Sequence, residues 1–163
     1  NTRYKSTHFI SEIAKTAGHS QLIAGQVADL EGEGKSVSKS QLKYIHERKT
    51  SALLTCAVKL GGMAANCTPR QLEALTEFGY NVGLAFQVID DILDVTQTSK
   101  KLGKTAGKDE AAQKATYPSV VGLDNARKIA TKLTTKAYDA LKPFKGRAIA
   151  LEAMADYLLK RDH

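Results

Sequence analysis

The sequence predicts an all-α fold, and three observations carry that prediction. Apolar residues recur at three- and four-residue spacing along most of the chain, and serine and threonine caps stand before several of those stretches. No run alternates with the two-residue period of a strand, and no hairpin signal, repeat or low-complexity tract occurs. Aromatic residues are scarce at 6% and Trp is absent, whereas the helix formers Ala, Leu, Lys, Gln and Glu recur throughout.

Residues 3 to 30 read as helical, with Ile10, Ile13, Ala14, Ala17, Leu22, Ile23 and Val27 on apolar faces and Gly18 as a break, until "EGEGKSV" ends the segment. Ser38 with Gln41 three residues on is a capping box, and it opens a long helix that carries Leu42, Ile45, Leu53, Leu54, Ala57 and Leu60 to about residue 65. Thr68, Pro69 and Gln71 repeat the signal: a capping hydroxyl, a proline at the first helical position and an amide three residues after the cap. That helix runs from 69 to about 95, and Gly79 and Gly83, four apart, form a thin stripe where a neighbouring helix can come close. Residues 96 to 109 read as a polar, lysine-rich loop, followed by a short helix over "AAQKAT" that is stopped near Pro118. Asp124 is read as the cap of a helix over 125–141, and "KPFKGR" separates it from a last amphipathic helix over 148–159.

A chain of 163 residues with 42% hydrophobic content suits one globular domain and excludes disordered and fibrous classes. Its 24 Lys and Arg against 17 Asp and Glu leave a balance of +7, which fits a polyanionic partner: nucleic acid, an acidic membrane surface or phosphorylated small molecules. Cys56 and Cys67 make neither a C-x-x-C pair nor a disulfide framework and read as reduced packing thiols. No apolar stretch reaches the length of about twenty residues that a membrane span needs, and no signal peptide opens the chain, so a cytoplasmic protein without an integral membrane segment is expected. The chain begins "NTRYKSTHFI", with no initiator Met and already within a helical pattern, which reads as a fragment.

The stretch "GLAFQVIDDILDVTQTSKKLGKTAGKD", residues 83 to 109, carries the chemistry. Asp90, Asp91 and Asp94 stand among Val88, Ile89, Ile92, Leu93 and Val95, where desolvating a charge is expensive and a compensating cation is called for. On a helix Asp90 and Asp94 face the same side with Cβ atoms about 6 Å apart, and Asp91 sits about a quarter turn round. Such a carboxylate pair suits Mg²⁺, which completes its shell with water and phosphate oxygens. Upstream, His46, Lys49 and Thr50 of "HERKTSALL" fall on one helical face, and a lysine with a hydroxyl there could hold a phosphate. Lys104 and Lys108, in a Gly-containing loop, could grip a phosphate with nearby backbone N–H groups.

Taken together these motifs resemble the trans-prenyl diphosphate synthases, the polyprenyl synthetase family. "GLAFQVIDDILD" resembles that family's second aspartate-rich motif with its preceding F-Q, and "HERKT" its phosphate-holding lysine motif. "AGQVADL" resembles its G-Q-x-x-D segment, and "LGKTAGKD" and "KATYP" the lysine loop that follows; the motifs keep the family's order over essentially the whole chain. The resemblance implies an isoprenoid-synthase-type helical bundle. It also implies a reaction in which an allylic diphosphate loses pyrophosphate with the help of about three Mg²⁺ ions, the cation alkylates isopentenyl diphosphate, and a proton is lost. It casts Asp90 as a direct metal ligand, with Asp94 and Asp91 binding metal or its waters. Lys49 and Lys104 would neutralise the departing diphosphate and Lys114 would support the metal site from farther out. Thr50, Gln87, Gln26 and Asp29 would place polar groups near the developing cation, and Phe86 would shape the pocket.

The family also needs a first aspartate-rich motif and an upstream Gly-Lys and Arg pair, and neither occurs here: the only adjacent acids are Asp90 with Asp91 and Asp109 with Glu110. The expectation is therefore that residues 1–163 are the C-terminal part of one polyprenyl synthetase domain whose N-terminal half is absent, inactive in isolation, from a homodimeric enzyme. Geranylgeranyl and farnesyl diphosphate are the expected products. The alternative is a non-catalytic subunit that modulates a partner enzyme. A nucleic-acid-binding helical module is the reading set aside, because it predicts a basic face without buried acids.

Overall fold

The computed structural model describes residues 2–96 and 115–160, and among them every regular element is helical. In chain order these are α1 (Ser6–Ala17), α2 (Leu22–Gly32), α3 (Lys39–His46), a π-helical turn (Glu47–Ser51), α4 (Ala52–Ala64) and α5 (Pro69–Thr96). After residues 97–114 come α6 (Tyr117–Val121), α7 (Leu123–Leu141), a 3₁₀ turn (Lys142–Phe144) and α8 (Ile149–Leu159).

The starts of α3 and α5 are set by the caps expected of them. Ser38 Oγ accepts from the Gln41 N–H at 3.3 Å while the Gln41 side-chain Oε1 accepts from the Ser38 N–H at 2.8 Å, and Thr68 and Gln71 do the same with equal lengths. The turn between α4 and α5 closes on Asn66, whose φ of 56° is the left-handed conformation that asparagine tolerates beyond a helix end. Arg3 and Tyr4 clip onto this turn: the Arg3 N–H donates to Asn66 Oδ1 at 2.8 Å and the Tyr4 hydroxyl to the Cys67 carbonyl at 3.1 Å.

Two boundaries differ from the sequence expectation. Pro118 begins a helix rather than stopping one: Thr116 caps α6, and a proline in the first turn costs nothing because its missing N–H would have had no intrahelical partner. Of the helix expected over "AAQKAT", residues 111–114 lie outside the described residues. Gly122, not Asp124, takes the capping position of α7, because its φ of 82° lets α6 turn directly into α7; Asp124 falls in the first turn, where its charge suits the helix dipole.

The core is built around α5. Phe78, Val82 and Ala85 pack against Ala137 and Leu141 of α7 and Ala155 and Leu159 of α8, and farther along α5 Val88 packs with Leu42, Tyr117, Ala126 and Ala130. Both cysteines are buried and unbridged. On the side facing α4 the glycine stripe does what its spacing suggested. A Cβ at Gly79 would lie 2.8 Å from Thr55 Cα of α4, and one at Gly83 2.6 Å from Ser51 Cα of the π turn, so α5 meets both backbone to backbone. Ser51, fully buried at the seam, donates its hydroxyl to the Tyr80 carbonyl at 2.9 Å.

Two measurements check this packing. Gly83→Ala is expected to destabilise the protein by about 1–3 kcal/mol in urea unfolding, since overpacking here must move backbone. Gly61→Ala, where an added Cβ meets nothing within 4 Å, is expected to stabilise by up to about 1 kcal/mol through helix propensity. Separately, Tyr138 donates to the Asp156 carboxylate, and burial together with that bond pushes its phenol up to about 12. The folded protein keeps this proton after an unfolded tyrosine, near 10, has lost it. The contribution is thus complete below about pH 10 and disappears as pH climbs towards 12, and Tyr138→Phe should flatten that part of the stability curve.

Candidate active site

The candidate residues come together where α2, the π turn and the second half of α5 meet. The π turn is held from both sides: a Cβ at Gly25 of α2 would lie 2.4 Å from the Lys49 backbone nitrogen, opposite the Gly83 contact with Ser51. Its start is tied to α5 by Glu47, which accepts from both Lys43 and the Tyr80 hydroxyl. A π turn is wider than an α turn and re-aims the side chains it carries.

The consequence is that His46, Lys49 and Thr50, expected on one face, point to three different places. Lys49 reaches across to Asp29 of α2 in a partly buried ion pair. An ammonium has three donors, so this pair orients Lys49 without exhausting it. Thr50 turns towards α5 and donates to Gln87 Oε1 at 3.0 Å. His46 is buried: its Nε2 lies 3.9 Å from Asp91 Oδ2 and its ring centroid 5.3 Å from that of Tyr117. Burial pushes its imidazole down to about 4, the negative charge of Asp29 resisting and the positive charge of Lys49 assisting, so His46 is neutral near pH 7. Its Nδ1 is buried without a hydrogen-bond partner among the described residues.

The three aspartates are divided in the same way. Asp90 is exposed and Asp94 half-buried, and together they form the carboxylate pair that the helical spacing demands. Asp91, 4% exposed, points inward. Its Oδ2 accepts the Tyr117 N–H at 2.9 Å and its Oδ1 lies 3.4 Å from the Gln87 amide nitrogen. The apolar run therefore buries one acid of three, and that acid is met by a backbone amide; leaving that amide unpaired in a residue only 3% exposed would cost about 1–3 kcal/mol. No sequence signal connected Asp91 to Tyr117.

Gln87 bridges the π turn and Asp91, one turn before Asp90, and Phe86 beside it is partly buried against the α5 core. Gln26 lies exposed on α2. Lys104, Lys108 and Lys114 lie outside the described residues. Among the described residues no three or more His, Cys, Asp or Glu side chains gather as a metal cage. The pair Asp90 and Asp94 nevertheless fits Mg²⁺, which is bound through one or two carboxylates and otherwise by water and phosphate oxygens.

This architecture defines an all-α bundle that collects an exposed and a half-buried acid, a paired lysine and a hydroxyl towards one end of its central helix. The chain belongs to the polyprenyl synthetase family: the family model described as Polyprenyl synthetase matches residues 2–155. It is 45% identical over 155 residues to a dimethylallyltranstransferase of Fischerella ambigua, covering 94% of this chain and 45% of that protein. It is 46% identical over 156 residues to a chloroplastic geranylgeranyl pyrophosphate synthase of Capsicum annuum, covering 94% of this chain and 42% of that one. The chain thus spans somewhat less than half the length of these curated relatives. Among solved structures it resembles a putative farnesyl-diphosphate synthase from Marinomonas sp. MED121, with a TM-score of 0.80 and 32% identity over 94% of this chain and 52% of the other. It likewise resembles the Helicobacter pylori geranyltransferase complexed with magnesium and isoprenyl diphosphate, with a TM-score of 0.76 and 30% identity over 97% of this chain and 53% of the other.

Two substitutions separate the contacts that hold the π turn. Thr50→Val keeps the shape and removes the donor to Gln87, and is expected to cost about 1 kcal/mol in urea unfolding. Gly25→Ala, which forces a side chain onto backbone, is expected to cost more, about 2–3 kcal/mol; equal losses would place the weight on the hydrogen bond instead.

Proposed function

We propose that this chain supplies the second aspartate-rich half-site of a Mg²⁺-dependent prenyltransferase that condenses an allylic diphosphate with isopentenyl diphosphate to give geranylgeranyl or farnesyl diphosphate. The observation that carries the reading is the division of the acids: Asp90 and Asp94 stay on the accessible face of α5 while Gln87, one turn earlier, bonds to Thr50 of the lysine turn. The family membership and the names of the relatives support the same reading.

Bound Mg²⁺ would supply charge neutralisation to the departing diphosphate. Asp90 and Asp94 would hold it from this chain's side, and Lys49, oriented by Asp29, would donate to a diphosphate oxygen as negative charge builds on the leaving group. The Lys104 ammonium would add to that role. Thr50 and Gln87 present polar atoms near the allylic carbon, and the apolar wall beside them, Phe86 included, keeps water from quenching the cation before the isopentenyl double bond attacks it. Loss of a proton then closes the reaction. Pairing of two copies is part of the proposal, and the exposed Ile10, Ile13, Ile23, Val27 and Leu30 on α1 and α2 support it as an apolar surface. A cytoplasmic location is proposed on the two unbridged cysteines; no helix among the described residues is long and apolar enough to cross a membrane.

The test is to incubate the complete gene product with Mg²⁺, isopentenyl diphosphate and farnesyl diphosphate and to identify products by mass spectrometry. Chain elongation is expected, abolished by EDTA and restored by added Mg²⁺, and Asp90→Ala is expected to lower the rate by roughly a hundredfold or more. A folded product that binds prenyl diphosphates without elongating them would point to the modulating subunit instead.

A further inference from the structure

Asp91 is the buried one of the three acids, 4% exposed. Its two carboxylate oxygens face the protein interior, one on the Tyr117 amide at 2.9 Å and the other 3.4 Å from the Gln87 side-chain nitrogen, and the His46 ring closes the space on the same side. For Asp91 to ligate a metal held by Asp90 and Asp94, its carboxylate would have to be shared with, or taken from, these two contacts. The Tyr117 N–H is the first donor of α6, which has no partner within its own helix. Gln87 in turn accepts the Thr50 hydroxyl, so Asp91 stands at the head of a chain that runs from α6 through α5 to the π turn.

We propose that Asp91 is a positioning residue rather than a metal ligand: it pins the start of α6 to α5 and sets the Gln87 amide, which in turn sets the Thr50 hydroxyl. The catalytic consequence rests on the prenyltransferase reading; the pin rests on the geometry alone.

The chemistry of the chain supplies a discriminating substitution. In Asp91→Asn the side-chain oxygen can still accept the Tyr117 N–H, and its new NH₂ can donate to Gln87 Oε1 once the Gln87 amide turns over. The Thr50 hydroxyl, both donor and acceptor, then accepts from Gln87, so the whole chain survives with its direction reversed. A direct Mg²⁺ ligand would lose its anionic oxygen in the same substitution and with it much of its affinity.

The experiment uses the complete gene product and three readouts: amide hydrogen exchange at Tyr117, Mg²⁺ binding by calorimetry with inorganic pyrophosphate present, and steady-state kinetics. Asp91→Asn is expected to keep Tyr117 protected and to hold the Mg²⁺ dissociation constant within about threefold, where Asp90→Asn raises it about tenfold or more. Asp91→Ala is expected to expose the Tyr117 amide to exchange and to lower kcat by roughly ten- to a hundredfold with a smaller change in KM, as for a misplaced catalytic group, and Asp91→Asn should recover most of that loss. The proposal is overturned if Asp91→Asn weakens Mg²⁺ as much as Asp90→Asn does, or if Asp91→Ala leaves Tyr117 exchange unchanged. An unmodified product without prenyltransferase activity would defeat the functional reading, while the exchange and calorimetry would still decide the role of Asp91.

Discussion

The structure depends on a contact in which three backbones meet without side chains between them. Gly25 on one side and Gly83 on the other bring α2 and α5 against the turn that carries Lys49 and Thr50, at separations no Cβ could share. Dense packing of this kind fixes position more sharply than side-chain contact does, because no rotamer can absorb a shift. The wide turn at Glu47–Ser51 is held in that clasp, and it sends Lys49 to α2 and Thr50 to α5.

Electrostatics is then divided by depth. Charges that a substrate or a cation would use stay at the accessible end of α5 or half-buried beside it. The one acid of the three carried inward meets the Tyr117 backbone amide and lies beside the His46 imidazole.

Much of this was legible in the sequence wherever the cause is local. Ser38 with Gln41 and Thr68 with Gln71 announced their helices because a cap and its partner lie three residues apart. The spacing of Gly79 and Gly83 announced a close neighbour because small residues on one helical face have few other uses. The four-residue interval between Asp90 and Asp94 placed both on the same face. What stayed hidden is set by distant contacts. "ERKTS" has the composition of an ordinary helix, and its widening is seen only with Gly25 and Gly83 in place. Asp91 sits a quarter turn from Asp90 on any helical wheel, but whether that direction is solvent or core depends on Tyr117, twenty-six residues on. Pro118 reads as a stop, but proline both ends helices and begins them, and the Thr116 cap makes it a start.

The glycine seam also bears on how such a scaffold can diversify. A contact between side chains can drift, since a larger residue on one helix can be answered by a smaller one on its neighbour. At Gly79 and Gly83 there is no smaller residue to retreat to, and the opposing atoms are the α carbons of Thr55 and Ser51. Compensation by a single partner is closed off along that line. Change is left to positions off the seam such as Leu54, which lines a cavity with Leu75 and Leu151, so that lining can vary while the register of α4 on α5 stays fixed.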